Sequence, residues 1–223
     1  MLRNIDMNEI SDGNLYEKDS MVKIGCNDCE GCHKCCHDMG KSIVLDPYDI
    51  YMLESATGKN FEELLTSVLE LNVVDGAILP NIRMQESTQA CAFLNNEGRC
   101  TIHDYRPGFC RLFPLGRIYR EDGSGFDYFL QVNECDYERK SKVKIKKWLG
   151  IERLGKYEEY IFKWHLLLKK VTDLSADASP EELKRVNMKI LNIFFILPYE
   201  KQTDFYTEFG KRLEMINSQG CLS

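Results

Sequence analysis

The stretch CNDCEGCHKCCHDMG, residues 26–40, places five cysteines within eleven residues and sets His33, His37 and Asp38 beside them. Sulfur this crowded is cross-linked, buried as a small apolar group, or ligated, and each choice dictates a different local fold. Disulfides fit poorly, because the adjacent Cys35 and Cys36 cannot bridge each other without strain. The N-terminal residues MLRNIDMNEISDGNLYEKDS are polar and acidic, without the basic-then-apolar order of a secretory signal. The thiols are therefore expected in a reducing, cytoplasmic setting. Burial as small hydrophobes also fits poorly, since Asn, Asp, Glu, Gly, His and Lys separate the cysteines. Metal ligation accounts for the run best, because C-x2-C turns let two thiolates converge on one ion or cluster while backbone N–H groups donate to sulfur.

The spacing sharpens this reading. Cys26, Cys29, Cys32 and Cys36 satisfy C-x2-C-x2-C-x3-C, the run by which bacterial ferredoxins hold iron–sulfur clusters, with His37 where proline is usual. A second cysteine region, CAFLNNEGRCTIHDYRPGFCRLFPLGR, spans residues 91–117. There a short strand, an Asn-Asn-Glu-Gly turn and a second strand are expected to bring Cys91 and Cys100 together at the ends of a hairpin. Cys110 follows a compact turn of Arg106, Pro107 and Gly108, and a further hairpin around DGSG ends near Cys135. Spacing alone adds Cys26 and Cys135 to the ligand set. Cys221, in the C-terminal tail, is left out of it.

The overlapping pattern Cys29-x2-Cys32-x2-Cys35-Cys36, followed by CAFL from Cys91 and CTIHDYRPGFCRLFP from Cys100, resembles the YkgJ-like cysteine-cluster family, whose members are described as zinc- or iron-chelating domains. The resemblance covers residues 25–136. It implies that Cys29, Cys32, Cys35, Cys36, Cys91, Cys100 and Cys110 act together as ligands. His103 departs from the pattern, where an aromatic residue is more usual. Some relatives are linked to flagellin lysine methylation, but this chain has no glycine-rich nucleotide loop for a methyl donor, and no reaction or substrate is assigned.

Seven to nine thiolates exceed what one tetrahedral zinc takes, so two zinc ions, a bridged zinc pair, or an iron–sulfur cluster with spare cysteines fit better. Soft donors select zinc or iron over magnesium or calcium. Of these, an iron–sulfur cluster with a redox or protein-modification role is the preferred reading. The alternative is a structural zinc module that presents a helical surface to a protein partner. Arg106, Arg111 and Arg117 flank Cys110 and are expected around the centre, offsetting thiolate charge or gripping an anionic substrate. His33, His37 and His103 are auxiliary candidates, and His165 reads as structural.

Elsewhere the pattern is that of a packed α+β protein. Its 223 residues suffice for a sizeable core without disulfides. No segment approaches the ~20 apolar residues of a membrane span. The net charge of −6 argues against a general affinity for nucleic acid, although Lys140, Lys142, Lys144, Lys146 and Lys147 form a basic tract with Arg139. Asp46, Pro47 and Gly58 bound one helix, Asn60 starts a second, and residues 73–84 read as a hairpin around Asp75-Gly76. Helical spacing returns from Tyr157, from Ser179 and from about Thr203. The expected organisation is an N-terminal segment, 1–24, a cysteine-cluster metal module of β-hairpins and helices, 25–136, and a C-terminal helical bundle, 137–223.

Overall fold

Side-chain caps decide where several of the helices begin, and the strands fall between helices. The computed structural model describes residues 7–27, 32–135, 137, 138, 140–200 and 202–218. Along the chain come helix α1 (Met7–Ile10), strand β1 (Met21–Gly25), helices α2 (Pro47–Thr57) and α3 (Phe61–Ser67), and strands β2 (Leu69–Val74) and β3 (Ala77–Ile82). Helix α4 (Gly108–Leu112), strands β4 (Leu115–Tyr119), β5 (Phe126–Leu130) and β6 (Ser141–Lys144), and helices α5 (Ile145–Leu149), α6 (Leu154–Ser175), α7 (Pro180–Leu191) and α8 (Phe205–Ser218) follow.

At α2 the Asp46 carboxylate accepts from the Asp49 N–H while Asp49 accepts from the Asp46 N–H, Pro47 opens the first turn, and Gly58 closes the helix at φ 70°. Asn60 and Glu63 repeat this reciprocal cap at α3, and Ser179 accepts from Glu182 N–H at α7. Helix α8 starts at Phe205, slightly later than the apolar spacing suggests, because the Asp204 carboxylate accepts from Thr207 N–H at 3.3 Å.

The strands form three antiparallel ribbons. β2 and β3 make the expected hairpin around Asp75-Gly76, and β4 pairs with β5. β1 pairs with the distant β6, from Met21 opposite Lys144 to Gly25 opposite Ser141. The hairpin expected between Cys91 and Cys100 does not form as regular strands. The chain makes single bridges there, Met84 with Cys91 and Leu94 with Cys100. The Asn95 side-chain oxygen accepts from the N–H groups of Glu97 and Arg99, which closes the loop before strands can extend.

The result is a mixed α+β fold with a bundle-like C-terminal helical region. Buried residues form one hydrophobic cluster that runs from Val22 and Ile24 in β1, through Ile43, Leu53 and Leu115, to Trp164, Phe194 and Phe209 in the helices. The Asn187 side chain ties the β2–β3 hairpin to α7, accepting from Ile78 N–H and donating to the Gly76 carbonyl. Buried Arg212 donates to the carbonyls of Ile193, Leu197 and Pro198, satisfying the π-helical turn Asn192–Ile196 that ends α7. Among the described residues no helix is long and apolar enough to cross a membrane.

Candidate metal centre

Short pieces of backbone position Cys26, Cys35, Cys36, Cys91, Cys100 and Cys110. Cys26 is buried directly after β1. Cys35 and Cys36 share the 3-10 turn Lys34–Cys36, in which Cys36 N–H donates to the His33 carbonyl. The two sequence motifs meet through the backbone: Cys91 N–H donates to the Cys36 carbonyl at 2.7 Å, and His37 bridges Ala90. Cys100 is set by its bridge to Leu94.

Cys110 rides on α4, whose placement depends on Gly108. The Gly108 N–H donates to Asp49 Oδ1 at 2.7 Å, and a Cβ on Gly108 would lie 2.3 Å from the Tyr157 hydroxyl of α6. The cap of α2, the start of α4 and the face of α6 are thus locked together behind Cys110.

These segments enclose two adjacent chambers. The larger, of about 90 Å3, is lined by Cys32, Cys35, Cys36, Cys91, Cys100 and Cys110, with apolar walls that include Ile43, Ile82, Phe93 and Phe109. The smaller, of about 30 Å3, is lined by Cys26, Cys32, Cys35 and Cys135 together with Lys34 and Glu134. Cys32, Cys35 and Trp148 border both. Cys29 and Cys221 lie outside the described residues. All eight described cysteines are free thiols.

Four of the thiols are held in the neutral form. The hydrogen bond with Cys36, and then burial, push Cys35 up, and burial pushes up Cys91, Cys100 and Cys110. A metal that binds here must displace protons. Among the described residues no three of the His, Cys, Asp and Glu side chains already stand as a metal-holding group. The thiols share cavities without forming such a group. As donors they suit zinc or iron, whose affinity for soft sulfur exceeds that of magnesium or calcium.

The three arginines separate in space. Arg106 lines the larger chamber, where its Nη1 lies 3.1 Å from His103 Nδ1 and donates to the His103 carbonyl. Arg111 is buried and donates to the carbonyls of Arg106, Leu149 and Asp104, so it closes the loop that precedes Cys110. Arg117 borders neither cysteine chamber. It lies between the rings of Phe126 and Tyr157 and lines a separate cavity with Asp46 and Asp49.

His33 and His103 line the larger chamber, while His37 packs against His33 with ring centroids 5.2 Å apart. His165 stacks on Tyr119 in the helical region, and burial lowers it to about 4.

Trp148, which is not among the candidate residues read from the sequence, also lines the site. Its side chain borders both chambers, and Nε1 is buried with no hydrogen-bond partner among the described residues. Nothing local signals this, because Trp148 reaches the cysteines only through the pairing of β6 with β1.

A family model, CxxCxxCC, with the description "Putative zinc- or iron-chelating domain", matches residues 28–147. No curated protein and no solved structure matches the chain.

Proposed function

We propose, because this chain belongs to the CxxCxxCC family, that its larger cysteine chamber holds an iron–sulfur cluster and that the protein is a redox-capable metal carrier rather than a zinc scaffold. The observation that carries this reading is the lining of one chamber of about 90 Å3 by six thiols drawn from separate parts of the chain. Four of them, Cys36, Cys91, Cys100 and Cys110, border this chamber and not its smaller neighbour, and four cysteines are the complement that holds an iron–sulfur cluster.

The residues have distinct roles in this reading. Cys36, Cys91, Cys100 and Cys110 supply thiolates from three separate segments, so the centre staples them together. Ile43, Ile82, Phe93 and Phe109 exclude water from the sulfurs. Arg99 and Arg106, on the wall, offset the negative charge of a thiolate-rich site. When bound, the cluster would supply one-electron transfer, and the apolar wall and these cations would tune its potential.

Anaerobic purification followed by iron, zinc and acid-labile sulfide analysis, with visible spectra before and after reduction, tests the reading. Brown protein with iron and sulfide in matching amounts is the expected result. Colourless protein that carries zinc without sulfide under the same anaerobic conditions would overturn it and favour the structural zinc module. Oxygen must be excluded, because zinc readily occupies thiolates that a damaged cluster vacates.

A further inference from the structure

We infer that the smaller chamber is a second, separate metal site, in which Cys26, Cys32, Cys35 and Cys135 hold a single thiophilic divalent cation of the zinc class. The inference rests on the reading of the larger chamber as a metal centre.

The two chambers differ in what they can admit. At about 30 Å3 the smaller has room for one or two water-sized occupants, which is enough for one ion and too little for a cluster. Its thiols number four, the full complement of a closed tetrahedral site. Assigning Cys32 and Cys35 to it leaves Cys36, Cys91, Cys100 and Cys110 to the larger chamber, again four. Neither centre is then short of sulfur. Cys35 borders both chambers while its neighbour Cys36 borders only the larger, so the two can serve different metal positions.

The surroundings match a closed thiolate site. Four thiolates around a divalent cation leave net negative charge, and Lys34 lines the chamber while Lys140 Nζ donates to the Cys135 carbonyl. The buried Nε1 of Trp148 has no partner among the described residues, and Trp148 lines the same chamber, where metal-bound sulfur would give this N–H an acceptor.

The site also explains a backbone feature. Cys26 follows β1 and Cys135 lies shortly before β6, so one ion fastens the open end of the β1–β6 ribbon. Close approach of the strands is already required there, since a Cβ on Gly25 would lie 2.3 Å from Ser141 Oγ.

The test is elemental analysis and native mass spectrometry of the full chain, purified without oxygen, in four variants. Cys26→Ser and Cys135→Ser are each expected to lose one equivalent of zinc and to retain the iron, sulfide and visible absorption of the larger chamber. Cys91→Ser and Cys110→Ser are expected to lose the cluster and keep the zinc. Two zinc equivalents without sulfide in the wild type would sink the iron reading of the larger chamber and still support two sites. Unchanged zinc in Cys26→Ser and Cys135→Ser, or loss of both metals together from folded protein, overturns the second site. Should those variants fail to fold, Co2+ titration of metal-free wild-type protein decides: tetrahedral thiolate bands that saturate in two steps support the inference, and a single step overturns it.

Discussion

At the scale of single residues, Trp148 Nε1 is one of four buried side-chain donors without a hydrogen-bond partner among the described residues, and the one whose side chain borders the cysteine chambers. An unpaired buried N–H costs about 1–3 kcal/mol. Metal-bound sulfur is a far better acceptor than a neutral thiol and removes that cost. Trp148→Phe keeps the ring and deletes the donor. It is expected to weaken metal binding about tenfold, the lower end of what loss of an outer hydrogen bond to a metal ligand costs. Competition against a chelator measures this. Because the chain has two tryptophans and Trp164 is buried among Phe194, Phe195 and Phe209, metal loading should quench emission strongly in Trp164→Phe and hardly at all in Trp148→Phe. Equal quenching in both variants would remove Trp148 from the site.

At the scale of elements, what could be read from sequence is what short-range chemistry decides. Asp46, Pro47 and Gly58 bound α2 as expected, because a cap is made by residues close in sequence, here completed by Asp49. The same holds for Asn60 and Ser179. The pairing of β1 with β6 was not legible, because MVKIG and SKVK are brief, lysine-bearing segments separated by more than a hundred residues, and their partnership has no local signature. The candidate site divides in the same way. The density of cysteines announced a metal, whereas the split into two chambers depends on that long-range ribbon and on the contact of Cys91 N–H with the Cys36 carbonyl. Element-level packing also gives a direct test at α4. Gly108→Ala would drive a methyl group into the Tyr157 hydroxyl and strain the hydrogen bond to Asp49, so it should destabilise the protein by about 1–3 kcal/mol. Denaturant melts measure the loss. Since Cys110 moves with α4, metal affinity should fall in the same variant, while Gly123→Ala, at a site with open space around it, should leave metal affinity intact.

At the scale of the whole molecule, the cysteine chambers and the helices share one interior. Cys91, Ile43, Ile82 and Phe93 belong to the same buried cluster as Tyr157, Trp164 and Phe209, and α6 backs the glycine that holds α4 in place. A ligand that binds only the folded state stabilises it by RT ln(1 + [L]/Kd), about 4 kcal/mol at a thousandfold excess over Kd. With one continuous core, that stabilisation is delivered to the helices as well as to the thiol-bearing loops. Stripping the metal under reducing conditions should therefore lower the melting temperature in one transition. Amide protons in the middle of α6, around Tyr160 to Leu167, should exchange faster together with those near Cys36 and Cys91. Hydrogen exchange resolved by mass spectrometry distinguishes the alternatives, because α6 retaining full protection while the loops open would mean that the metal organises only its own surroundings. The common response is expected because Tyr160 joins the two regions directly: its hydroxyl donates to the Asp46 carboxylate and accepts from Tyr48 N–H, which couples the cap of α2 to the centre of the helical bundle.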